Sequence, residues 1–144
     1  MKILIISSVW VEPNSSAAGS RMLQLIHFFQ SEKYIVEYAS IASESEFSFD
    51  LSSLGIIQHA IQINNSDFDQ LLLQINPNIV LFDRFMVEEQ FGWRVSNVLP
   101  NAIKILDTED LHCLRQARHE AVKKNSETLN YNSDVAKREI AAIF

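Results

Sequence analysis

A chain of 144 residues fits the usual size of one domain and is too short for two ordinary ones. Apolar residues at 47% and charged residues at 21% exclude an intrinsically disordered chain. The net charge of −6 argues against a broad grip on nucleic acid, and the single cysteine, Cys113, excludes an intrachain disulfide and a multi-cysteine zinc site.

Strand and helix patterns alternate from the first residues on. Ile3–Ile6 is a continuous apolar run, as expected for a strand covered on both faces. Ala17–Gln30 carries an apolar stripe at helical spacing. Tyr34–Ile41 and Ile56–Ile63 read as the second and third strands. The polar and aromatic segment Ser43–Leu54 between them fits a short helix or a loop. Ser66–Gln74 is a short amphipathic helix, stopped by Asn76-Pro77-Asn78. Ile79–Phe82 is the fourth strand and runs into Asp83. Val87–Val98 is helical, and Pro100-Asn101 stops it. Ile103–Leu106 is the fifth strand and runs into Asp107. Glu109–Lys124 reads as the next helix, with Asp110 in its first turn opposing the positive end of the helix dipole. Asn125–Ser133 is polar and predicts a mobile loop. Asp134–Phe144 restarts a helix, capped by Ser133 or Asp134. His27 and His59 fall in core-forming patterns, and Cys113 reads as a small buried residue.

This alternation predicts an α/β fold, a doubly wound parallel sheet of order 3-2-1-4-5 flanked by helices. In such sheets ligands bind beyond the carboxyl ends of the strands, where strand order reverses. The crevice between strands one and four should therefore receive Ser7, Ser8 and the following loop, with Asp83-Arg84 opposite and Asp107-Thr108 beside them.

The first loop, Ser7 to Arg21, contains neither G-x-G-x-x-G nor G-x-x-x-x-G-K-[ST]. Only 3 glycines occur in the chain, which further disfavours a glycine-rich nucleotide fingerprint. What the loop offers is Ser15-Ser16-Ala17-Ala18-Gly19-Ser20-Arg21, small residues opening a helix. Such residues let an anion approach backbone N–H groups, and Arg21 would add a forked donor. The competing reading is an ordinary capped helix with Arg21 in solvent. Asp83 and Asp107 either cap the following helices or accept hydrogen bonds from sugar hydroxyls; Asp83-Arg84 also reads as a surface ion pair. His112, near the crevice mouth, is the one candidate for acid/base work or for holding a hydroxyl. His112 and His119 lie seven apart, too far for the usual metal pair, and no metal is expected.

Three stretches carry a family resemblance. Met1-Lys2-Ile3-Leu4-Ile5-Ile6-Ser7 and Pro13…Gly19-Ser20-Arg21 resemble the opening of a GT-B type glycosyltransferase of the retaining family 4. Ile105-Leu106-Asp107-Thr108-Glu109-Asp110-Leu111-His112 is similar to a D-T-x-D-L-H pattern in some members, and Ala136-Lys137-Arg138-Glu139 resembles the helix before the next strand of that domain. The resemblance implies a single Rossmann-like N-terminal domain over 1–144, the acceptor-side half of a two-domain enzyme. The other half would bind the nucleotide-sugar donor and supply an acidic motif and the diphosphate ligands. Gly19, Arg21, Asp83, Asp107, Asp110 and His112 would then line the substrate site. Ala18-Gly19 stands where members often have Gly-Gly. No cofactor is implied beyond the nucleotide sugar, which is a substrate.

The function expected of the intact protein is transfer of a sugar to an acceptor hydroxyl with retention, this chain alone being inactive. The alternative is a non-enzymatic α/β binding or interaction module. A flavodoxin- or receiver-like domain fits poorly, because Ser7-Ser8 is not an acidic cluster and strand five ends in Asp107 rather than lysine. The last helix runs to Ile143-Phe144 without a stop signal, which predicts a chain cut inside a larger fold. Apolar surface around Val135–Phe144 would then lack its cover and invite self-association. No segment reaches the ~18 apolar residues of a membrane span, and Ile3–Ile6 is too short for a signal peptide. The expected compartment is reducing cytoplasm, with the intact protein free to lie at a membrane periphery.

Overall fold

The computed structural model describes residues 1–143. Five strands, β1 (Lys2–Ser7), β2 (Ile35–Ser40), β3 (Ile57–Ala60), β4 (Ile79–Asp83) and β5 (Ile103–Asp107), form one sheet. Its order is β3-β2-β1-β4-β5 and every pairing is parallel. The helices are α1 (Ala17–Ser31), α2 (Asp67–Ile75), α3 (Phe85–Val98), α4 (His112–Lys124) and α5 (Asp134–Ile143). This is the expected doubly wound α/β architecture, a Rossmann-like parallel sheet with helices on its two faces.

The apolar runs explain the layers. Successive side chains of a strand point to opposite faces. Ile3 and Ile5 of β1, with Ile79 and Leu81 of β4, pack on Met22 and Ile26 of α1. Leu4 and Ile6, with Val80 and Phe82, pack on Phe68 and Leu72 of α2 and on Phe91 and Val95 of α3. Both faces of β1 and β4 are thus sealed, and that is why neither strand alternates with polar residues. β5 lies at the sheet edge and leaves Ile103 at 59% and Ile105 at 36% exposure. On α5, Ile140 and Ile143 stay 51% and 44% exposed.

Several boundaries differ from those the sequence predicts. β3 is confined to Ile57–Ala60, because the chain turns after Ile61 and buries that side chain against α2. The segment before it is a loop closing in a 3-10 turn, Leu51–Leu54, capped by the Asp50 carboxylate on Ser52 N at 3.0 Å. α2 ends where expected, with Asn76 in the left-handed conformation. Asn125 ends α4 the same way, and residues 126–133 form neither helix nor strand. Ser133, rather than Asp134, caps α5, its hydroxyl accepting from Ala136 N at 3.2 Å.

Three side chains are placed differently from their predicted settings. His27 is exposed rather than packed, since α1 presents it away from the sheet. His59 is half-buried beside Glu37, its Nε2 2.7 Å from the carboxylate, which Lys2 also meets at 3.1 Å. Cys113 is half-buried, not a core residue.

Candidate functional site

Strand register builds the site. Ile6 pairs with Phe82, and one step further Ser7 stands beside Asp83. Asp83 in turn pairs with Asp107. Alternation puts Ser7, Asp83 and Asp107 on the face that carries α1. The Ser7 hydroxyl donates to Asp83 Oδ2 at 2.6 Å and accepts from Val9 N at 3.2 Å. Asp83 is 6% exposed. Burial pushes its carboxyl above the ordinary range, although the Ser7 hydroxyl and the Arg84 guanidinium pull the other way. Asp83 is therefore a buried carboxylate at the switch point, and not half of a surface ion pair.

The chain leaves β4 under strain. Arg84 adopts φ 78° and ψ 151°, a region that side-chain-bearing residues rarely occupy. Such a conformation costs of order 1–3 kcal/mol and persists only where neighbours enforce it. Here they do: Arg84 N donates to Asp107 O at 2.7 Å, and Arg84 Nε donates to Glu109 Oε2 at 2.8 Å. Glu109 also has a positive φ, 56°. Burial lowers the Arg84 guanidinium affinity for its proton, but Asp83 and Glu109 more than restore it. The turn lets α3 start at Phe85, two residues earlier than the apolar pattern implies.

The first loop forms the opposite wall. Trp10 and Val11 are buried, Trp10 packs on Tyr38 with ring centroids 5.7 Å apart, and its indole N–H donates to Ala42 O at 2.8 Å. Tyr38 donates its hydroxyl to Val9 O at 3.0 Å, and burial raises its pKa well above the usual value. Between this wall, the start of α1 and Asp83-Arg84 lies a cavity of about 370 Å³.

Gly19 and Arg21 border this region in roles other than those predicted. Gly19 N donates to the Ser16 hydroxyl at 3.0 Å, so that N–H is not free for an anion. A side chain at Gly19 would run into the Glu12 backbone; the glycine serves loop-on-helix contact, not ligand approach. Arg21 hydrogen-bonds Asp107 through one guanidinium nitrogen, which raises its pKa, and its side chain stays half-exposed. Asp107 also accepts from Glu109 N at 3.1 Å, closing a turn instead of capping a helix. Ser16 is an ordinary cap, and replacing it tests the loop's dependence on α1. Ser16→Ala is expected to cost about 1 kcal/mol in chemical denaturation.

Asp110 and His112 lie at the start of α4, which begins at His112 rather than Glu109. Asp110 is therefore outside the helix and pairs with Arg115 at 2.9 Å. The carboxylate that meets the helix N-terminus is Glu139, which comes from α5. Its Oε1 accepts from His112 N at 2.9 Å, and its Oε2 from Cys113 N at 2.8 Å. The His112 ring lies edge-on to Phe85, centroids 5.4 Å apart, and so adjoins the β4 exit. A second cleft of about 460 Å³ opens there, lined by Phe85, His112, Arg115, His119 and Arg138 among others.

The structure thus gathers Ser7, Asp83, Arg84, Asp107 and Arg21 at one sheet edge and places His112 next to them through Phe85. The sequence pattern brought Arg84 to the crevice but not its strained backbone, and it did not show Glu139 as the acceptor at the start of α4. Among the described residues, no group of three or more His, Cys, Asp or Glu side chains could hold a metal ion, and no helix is long and apolar enough to cross a membrane. No family model, no curated protein and no solved structure matches this chain.

Proposed function

We propose that the chain is the acceptor side of a GT-B type glycosyltransferase that transfers a sugar from a nucleotide-sugar donor with retention. The observation that carries this reading is the pairing of a buried carboxylate, Asp83, with a conformationally strained Arg84 at the switch point of the sheet. Strain and buried charge both cost stability and gather where function requires them. A polyhydroxylated acceptor suits the crevice. Asp83 and Asp107 accept from hydroxyls, Arg84 donates to ring or hydroxyl oxygens, and the Val9–Trp10 wall meets the apolar face of a sugar.

The donor side is assigned to another domain. The groups that would clamp a diphosphate are already engaged: the Gly19 N–H with Ser16 and Arg21 with Asp107. In this division of labour the chain's contribution is orientation of the acceptor hydroxyl, with His112 lining the cleft on the far side of Phe85. Charge stabilisation of the leaving diphosphate comes from the partner domain.

Amide-resolved NMR titration of the 144-residue chain tests the reading. Neutral mono- and disaccharides are expected to shift Val9–Glu12, Arg84 and His112, with no turnover of any nucleotide sugar. Turnover by this chain alone at enzyme-like rates would overturn the division of labour. Absence of sugar-dependent shifts across a broad panel would favour a non-enzymatic interaction module.

A further inference from the structure

Glu139 is the most deeply buried acid of the described chain, 0% exposed, on a helix remote in sequence from the crevice. Burial pushes its carboxyl up. The Cys113 thiol and the backbone N–H groups of Cys113 and His112 outweigh that, and the group titrates below its ordinary range. The same contact raises the Cys113 thiol, which stays protonated as a donor to Glu139. Glu139 is therefore a fixed anion, and two of its acceptor sites are occupied by the first turn of α4.

His112 stands over that anion. Its Nδ1 is buried and makes no hydrogen bond. Two carboxylate oxygens face this nitrogen, Glu139 Oε1 at 3.5 Å and Asp110 Oδ1 at 3.6 Å. An ionised carboxylate only accepts. A lone pair on Nδ1 would thus face two anions away from solvent, whereas a proton there is attracted by both. The imidazole has two neutral tautomers, and this environment selects the one protonated at Nδ1. With Nδ1 enclosed and the side chain 15% exposed, the Nε2 edge of the ring is the part that meets the cleft.

We propose that Glu139 is a positioning residue: it holds the start of α4 and selects the Nδ1-protonated tautomer of His112, leaving Nε2 as an acceptor toward a ligand hydroxyl. The role of Nε2 rests on the transferase reading; the tautomer does not. Asp110 contributes less, being half-exposed and engaged with Arg115. Arg138, also beside the cleft, is turned to Glu89 at 2.7 Å and does not compete for Glu139.

Two-bond ¹H–¹⁵N correlation spectra of the imidazoles in the free 144-residue chain, recorded at a pH where His112 is neutral, test this. The wild-type chain is expected to show His112 with protonated Nδ1 and bare Nε2. Glu139→Gln, which keeps an amide oxygen for one backbone N–H, is expected to shift the tautomer ratio at least about fivefold toward Nε2–H. Asp110→Asn should shift it less. Amide exchange of β1 and β4 reports whether each variant retains the sheet. A wild-type His112 carrying its proton on Nε2 overturns the proposal without any variant, and so does an unchanged ratio in folded Glu139→Gln. Neither outcome bears on sugar binding, which the titration above measures separately. If the tautomer is as stated and no sugar binds, the transferase reading fails and the positioning role stands.

Discussion

Gly19→Val is expected to cost about 3 kcal/mol or more of unfolding free energy, and Gly19→Ala about 2 kcal/mol. A Cβ at this position meets the N, C and O atoms of Glu12, all backbone, closer than real contacts allow. That backbone has no free rotamer to escape by. The Glu12 carbonyl accepts from Ser15 N and Ser16 N, both at 3.2 Å, and its carboxylate accepts from the Ser45 hydroxyl at 2.5 Å. Relief requires the whole loop to lift off α1 and to take the crevice wall with it. Intrinsic propensity pulls the other way: alanine in a helix interior is favoured over glycine by about 1 kcal/mol. The sign of Gly19→Ala in urea denaturation therefore decides between the two effects. A stabilised variant would show that the loop yields freely. The expected loss, with altered Trp10 emission, shows that it is pinned. Either result bears directly on the site, because Val9 and Trp10 form its wall.

The fold was readable because its signals are local. Ile3–Ile6 and Ile79–Phe82 are continuous apolar runs, as strands covered on both sides of a sheet require, while Lys104 interrupts Ile103–Leu106 on the edge strand. Helical stripes between them and the right-handed crossover fix the strand order. The same register delivers Ser7, Asp83 and Asp107 to one edge, so the position of the crevice follows from topology alone. The helix starts were less readable, for two different reasons. At α3, the chain turns through a positive φ at Arg84, a residue that carries no sequence signal for such a turn. At α4, Asp107-Thr108-Glu109-Asp110 imitates a cap and an acidic first turn. The actual cap, Glu139, is 27 residues away from His112 and arrives only when α5 docks.

The site residues divide along the same line. Ser7, Asp83 and Asp107 are placed by the strands, and their identity as ligand candidates needed only the alternation of side chains. Arg21 and Gly19 carried a chemical expectation that depended on their being free, and freedom is a tertiary property. Arg21 has Asp107 within reach because the start of α1 comes near the carboxyl end of β5, a proximity no local pattern encodes. Asp110 lost its helix-dipole role to Glu139 for the same reason: a buried acid from another helix reaches the N–H groups first. Sequence spacing ranks residues by type; packing decides which of them keep an unspent hydrogen bond.

Asp83→Asn is expected to weaken sugar binding about tenfold to a hundredfold while making the chain more stable at neutral pH. The affinity loss is that of a hydrogen bond to a charged acceptor, about 1.5–3 kcal/mol. The stability gain follows from the direction of the Asp83 shift. Burial raises its folded pKa above the unfolded value of 3.8, against the opposing pull of Ser7 and Arg84. A carboxyl with a raised folded pKa contributes stability that is fully present below the unfolded pKa. That contribution is lost as pH rises through the folded pKa, beyond which the ionised group is a net cost. The asparagine amide is neutral throughout and keeps an oxygen to accept from the Ser7 hydroxyl. The advantage of Asp83→Asn in thermal unfolding should therefore be largest at neutral pH and should shrink as the pH falls through the folded pKa of Asp83 toward 3.8. A variant that binds sugar as well as the wild type, or one that is destabilised at neutral pH, would remove Asp83 from the site's function. The coupled result, more stable and less able to bind, is what a carboxylate held against its own solvation must give when the ligand is what it serves.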